Sequence, residues 1–109
     1  MDLRRQMKED DARAQVVIAM AAAACGARVE HVGGDGPRDV RTAFARQVAM
    51  YLASVAFDMS LGRVARAFGR DRSTVRHACQ TMEDRRENAG FDQWMEALER
   101  SAAGVPVSA

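Results

Sequence analysis

The stretch SLGRVARAFGRDRSTVRHACQTMEDRR, residues 60–86, decides the fold of this 109-residue chain. Ser60 is an N-cap residue type, and Leu61, Val64, Ala65 and Phe68 follow at helical spacing. Gly69 then stands where a left-handed residue ends a helix. Asp71 or Ser73 can cap a second helix, on which Val75, Ala78, Cys79 and Met82 fall at i, i+3, i+4 and i+7. About two turns of helix, a tight glycine-containing turn and a second helix with a polar outer face make a helix-turn-helix unit from Ser60 to Arg86.

The outer face of that second helix carries the chemistry. Arg72, Ser73, Thr74, Arg76, His77 and Gln80 lie in or near its N-terminal half, the part that such units insert into a major groove. Arginine bonds guanine O6 and N7 together, the threonine methyl packs on the thymine methyl, and hydroxyls reach bases or phosphates. Arg63, Arg66 and Arg70 extend the positive surface towards the backbone, and the helix N-terminus adds N–H donors for a phosphate.

Outward from this unit the chain reads as helix on both sides. Asp39 caps a segment in which Val40, Phe44, Val48, Tyr51, Leu52 and Val55 line one face, ending near Phe57. Before it, Gly26 to Arg38 holds four glycines, Gly26 among them, and one proline, and reads as a loop or linker. Asp2 to about Ala24 has no Gly or Pro, and Leu3, Met7, Ala14, Val17, Ala21 and Ala24 recur at three- and four-residue steps. After the unit, Gly90 is expected to stop one helix, and Phe91, Trp94, Met95 and Leu98 form the core stripe of another. The organisation expected is therefore an N-terminal helix over 1–25, a Gly-rich linker over 26–38, a helix-turn-helix domain over 39–101 and a flexible tail over 102–109. No segment alternates with period two, so the fold class is all-α.

Charge follows the same map. Residues 1–37 hold five Lys/Arg against six Asp/Glu, residues 38–86 hold ten against five, and residues 87–109 hold one against four. A formal net charge of +1 thus hides a basic middle. Glu9, Asp10 and Asp11 stand before the alanine-rich stretch Val16 to Cys25, where a secretory leader would be basic, and no apolar run reaches the roughly 20 residues of a membrane span. The expectation is a cytoplasmic, nucleoid-associated protein without membrane contact. Cys25 and Cys79 read as reduced core residues. His77 and Cys79 point apart on a helix, and Cys25 and His31 lack a second ligand pair, so neither metal nor cofactor is expected. No acid, base and nucleophile converge, and the chain reads as a binder rather than an enzyme.

The residues resemble a family, the C-terminal DNA-binding domain of the bacterial replication initiator DnaA, over roughly Arg38 to Ser101. ARQVAMYLA (Ala45 to Ala53) is similar to the family's helix before the helix-turn-helix, SLGRVARAFG (Ser60 to Gly69) to its first element, and RDRSTVRHAC (Arg70 to Cys79) to its recognition signature. MEDRRENAGFDQWMEAL (Met82 to Leu98) is similar to its final helices. The resemblance implies base or adjacent phosphate contacts from Asp71, Arg72, Ser73, Thr74 and His77, to which the face adds Arg76. It departs from the family in three places. One glycine precedes the Arg-Asp pair instead of two, Arg72 replaces histidine, and Phe44 stands where the family has a minor-groove arginine, leaving Arg38, Arg41 or Arg46 to substitute. Residues 1–32 show no recognised counterpart in the family, and without a G-x-x-x-x-G-K-[ST] signature no ATPase module is expected beside the domain.

The reading is a small transcriptional regulator, an activator by preference, that binds double-stranded DNA. A stand-alone domain of this kind also resembles the DNA-binding part of the gene transfer agent activators of alphaproteobacteria. RNA polymerase, a second regulatory protein and a second copy of the chain stand open as partners, the last through the N-terminal helix. A replication regulator occupying initiator-type sites and a protein-binding adaptor that has lost DNA reading are the alternatives.

Overall fold

Asp39 and Ser60 each start a helix by turning a side-chain oxygen onto an orphan backbone N–H: Asp39 accepts from Thr42 N at 2.7 Å and Ser60 from Arg63 N at 3.3 Å. Asp2 and Asn88 do the same for Arg4 N and Phe91 N. The computed structural model describes residues 2–34 and 39–107. Through them run α1 (Leu3–Cys25), α2 (Val29–Val32), α3 (Val40–Ala56), α4 (Leu61–Phe68), α5 (Arg72–Arg85) and α6 (Ala89–Ala103). No strand occurs among the described residues, and the fold is all-α as the sequence predicts. None of the described helices is long and apolar enough to cross a membrane.

The core is built round α3, which touches all five other helices. Residues Val48, Ala49, Met50, Tyr51, Leu52 and Ala53 are buried in succession, which a helix can do only when neighbours cover it on every side. The small residues Ala45, Ala49 and Ala53 recur every four residues and let a neighbouring axis approach closely. From the other helices come Val17 and Ile18, Val64 and Phe68, Val75 and Met82, and Met95. Each larger side chain fully buried in this way contributes roughly 1.5–3 kcal/mol. The alanine-bearing face of α1 packs on the domain itself, with Ala14, Val17, Ile18, Ala21 and Ala22 buried.

Several expectations are corrected. Leu3, Val40 and Val55 are 67%, 87% and 40% exposed, the first two at helix starts and the third in the last turn of α3. Ala24 is also exposed. Gly90 does not stop a helix: α5 ends at Arg85, and Gly90 lies inside the first turn of α6, where Asn88 caps the chain and the glycine's own N–H needs no intrahelical partner. Helix α6 extends to Ala103, and Ala102, assigned to the tail, is buried. One helical turn, α2, lies within the stretch read as a loop, with Val32 buried. Both cysteines are free and half-buried, and burial pushes both thiols up, so they stay protonated at neutral pH.

Candidate nucleic-acid interface

Three residues, Gly69, Arg70 and Asp71, join α4 to α5. Gly69 adopts φ 63° and its N–H reaches Arg66 O, while Arg70 N reaches Ala65 O at 2.9 Å, the paired bonds of a Schellman motif. Only a residue tolerant of the left-handed region closes α4 so abruptly, and a single glycine suffices for it. Asp71 takes the N-cap backbone position of α5, with Val75 N bonded to its carbonyl at 3.2 Å. Its carboxylate makes no capping hydrogen bond and is exposed.

Val75, Ala78 and Met82 turn α5 onto the core, which by the helical period sends Arg72, Ser73, Thr74, Arg76 and His77 to solvent. All five are exposed, and none has a side-chain hydrogen bond or ion pair among the described residues. The first turn of α5 contains no acidic residue. A helix start ordinarily attracts negative charge, and here Arg72 is set against the dipole beside unpaired N–H groups. An anion docked at this end would satisfy both.

The remaining arginines divide by partner. Arg63 grips Asp10 of α1 with two bonds, Nε to Oδ2 at 2.9 Å and Nη2 to Oδ1 at 2.7 Å, and Arg13 adds a third at 3.0 Å. Asp10 is 1% exposed, and the Arg63 hydrogen bonds hold its carboxyl below the usual carboxylate range against the opposing effect of burial. Arg66 donates to Asp11 at 2.8 Å and to Met7 O at 3.1 Å. Arg46 binds the carbonyls of His31, Val32 and Gly34, and Arg70 binds that of Gly34 at 2.8 Å, so these two tie the chain after α2 to α3 and to the turn. Arg41 is exposed on a cleft with Arg28 and His31. Arg38 lies outside the described residues.

Behind the recognition surface, α6 is locked on by two clusters that sequence reasoning did not find. Arg86 bonds Asp92, Glu99 and the Tyr51 hydroxyl, which itself donates to Glu83. Burial, reinforced by the bond to Glu83, pushes the Tyr51 phenol up to about 12. Phe44 stacks on Trp94, with ring centroids 6.1 Å apart at 18°, meets Phe91 edge-on, and lies under the Arg85 guanidinium at 5.0 Å. The residue in the place of the family's arginine is therefore a packing residue. The expected core role of Phe91, Trp94 and Leu98 is met in part, since all three are only partly buried while Met95 is fully enclosed. The Asp10–Arg63 clamp was also missed; the acidic run at residues 9–11 was the signal, read only as a bar to secretion.

The family model for the bacterial DnaA protein helix-turn-helix matches residues 14–82. The chain is 48% identical over 44 residues to the chromosomal replication initiator protein DnaA 2 of Chlamydia pneumoniae, a stretch covering 40% of this chain and 10% of that protein. It is 39% identical over 66 residues to the chromosomal replication initiator protein DnaA of Picosynechococcus sp., covering 59% and 14%. Among solved structures, a DNA replication initiation factor superposes with a TM-score of 0.81 at 31% identity, over 93% of this chain and 31% of that one. The replication initiator DnaA bound to AMPPCP and single-stranded DNA superposes at 0.77 and 30% identity, with the same two coverages. The chain thus spans about a tenth of the curated relatives and under a third of the solved ones. The match begins within α1, so the resemblance drawn from Arg38 onward was too short: α1 from Ala14 and α2 have family counterparts.

Proposed function

The chain belongs to the bacterial DnaA helix-turn-helix family, and from that premise we propose that it is a sequence-specific double-stranded DNA-binding protein that regulates transcription. The observation that carries this reading is the set of five exposed side chains without internal partners at the start of α5. Arg72 and Arg76 are the guanine readers, Thr74 the thymine-methyl contact, and Ser73 and His77 hydrogen-bond bases or adjacent phosphates. Asp71, whose carboxylate is spared from capping, accepts from a cytosine amine. Arg41 and Arg66 and the first N–H groups of α5 contact phosphates, with Arg38 a further loop contact. Arg46, Arg63 and Arg70 hold the scaffold that aims α5, and reach the backbone only from those anchored positions.

The activity is binding rather than chemistry. A single module buries roughly 600–1,000 Å² on DNA, so firm occupancy calls for tandem sites, a second copy or a helper such as RNA polymerase. The relatives are chromosomal replication initiators, which favours a second reading, control of replication through initiator-type sites.

Selection of sites from random duplex DNA at two salt concentrations, with Arg72→Ala in parallel, tests the proposal. A motif that shifts or vanishes in the variant is expected, and its position near promoters or near the origin separates the two readings. Weak binding without a motif, fading with salt alike in both proteins, would overturn sequence reading.

A further inference from the structure

On α1, Arg4, Lys8 and Asp11 are spaced by four and three residues and share one face. Asp11 is held by the Arg66 guanidinium, whose same nitrogen also binds Met7 O, so this face of α1 runs alongside α4. One turn before Arg66 on α4 stands Gly62, and the space a Cβ would take there lies 3.9 Å from Arg72 Nε. Arg72, Gly62, Arg66, Asp11, Lys8 and Arg4 therefore follow one another as a ridge from the tip of α5, across α4, to the start of α1. The pairing along α1 leaves out two residues of this ridge. Arg5 is bonded to Glu9, and Arg13 to Glu9 and Asp10, whereas the side chains of Arg4 and Lys8 are exposed and without partners among the described residues.

We propose that the Arg4–Lys8 stripe of α1 is a second phosphate-binding element, engaging duplex DNA beyond the segment held by the helix-turn-helix. The inference rests on the reading that α5 docks in a major groove. In that pose the first helix of the unit crosses the sugar-phosphate backbone, and the solvent side of α4, marked by Arg66, leads along that backbone onto α1. Four residues of helix rise about 6 Å, close to the rise of two nucleotides along the duplex axis at about 3.4 Å each. The same helix that anchors the fold through Asp10 thus lengthens the electrostatic footprint without reading bases.

The test is the salt dependence of affinity of the full chain for its selected duplex, or for a random-sequence duplex if no motif emerges, between 50 and 200 mM salt. Replacing both Arg4→Gln and Lys8→Gln removes two phosphate contacts, so the wild type should lose roughly tenfold more affinity than the double variant across that range. Asp11→Asn removes a charge that repels phosphate beside Lys8, and should lose about threefold more than the wild type across the same range. The selected motif and the thermal melt should be unchanged in the double variant. Salt slopes unmoved by either change, while Arg72→Ala still erases the motif, would overturn the stripe and leave the reader standing. A slope lowered by the double variant on DNA that yields no motif would support the stripe and overturn the reader.

Discussion

Arg63 and Arg76 lie thirteen residues apart in one basic segment, yet the first is gripped by a buried carboxylate on α1 and the second faces water with no partner. The contrast extends to whole surfaces. On the α1–α4 side, Arg63 and Arg66 answer Asp10 and Asp11; behind α5, Arg86 answers Asp92 and Glu99. At the start of α5 the positive residues are answered by nothing in the described fold. Identical side chains thus do two jobs, and the difference lies in which face of which helix meets an acid. A basic composition alone overstates the nucleic-acid surface, since part of the charge is consumed in holding the helix-turn-helix to its scaffold.

The largest break in this comparison should come from Asp10→Ala. Removing one partner of a buried pair ordinarily costs about 3–5 kcal/mol; with the Arg63 side chain 33% exposed, a loss of about 2–3 kcal/mol in urea unfolding is expected. Arg76→Ala should do the reverse. It should leave the unfolding free energy within about 0.5 kcal/mol of wild type and weaken binding to the selected duplex by about 1–3 kcal/mol. Equal effects of the two substitutions on stability would erase the distinction between the surfaces.

Acid sharpens it further. Asp10's carboxyl titrates below its ordinary value of 3.8 in the fold, so its contribution is present above that pH and is lost as pH falls through the lower folded value. Stability of the wild type should therefore decline below about pH 4 more steeply than that of Asp10→Asn, which has no carboxyl to protonate; parallel acid curves would count against the clamp. The smallest effect is expected at Arg66→Ala. Its pair with Asp11 is exposed on both sides, and such pairs are worth about 0–1 kcal/mol, so the melt should barely move while affinity for duplex DNA falls.

Much of the fold was legible in the residues. Ser60, Gly69 and Asp39 stand at helix boundaries as expected, because a cap is a bond between groups two to five residues apart and needs no knowledge of the rest of the chain. The inward stripe of α5 was equally readable from its period. The Gly90 boundary was misread because glycine in a first turn and glycine past a last turn look alike until Asn88 is seen capping. The central place of α3 was understated: its alanines look weakly apolar one by one, and their burial follows only from five neighbours closing round them.

By itself, then, the sequence determined the starts of α3 and α4, the glycine turn that closes α4 and the outward display of Arg72, Ser73, Thr74, Arg76 and His77, since all of these obey interactions within a turn or two of helix. Only the tertiary structure decided which of the other arginines remain available to a ligand. Asp10 and Arg63 are separated by 53 positions, and a guanidinium carries no local mark of a carboxylate that the packing of α1 against α3 and α4 brings to it.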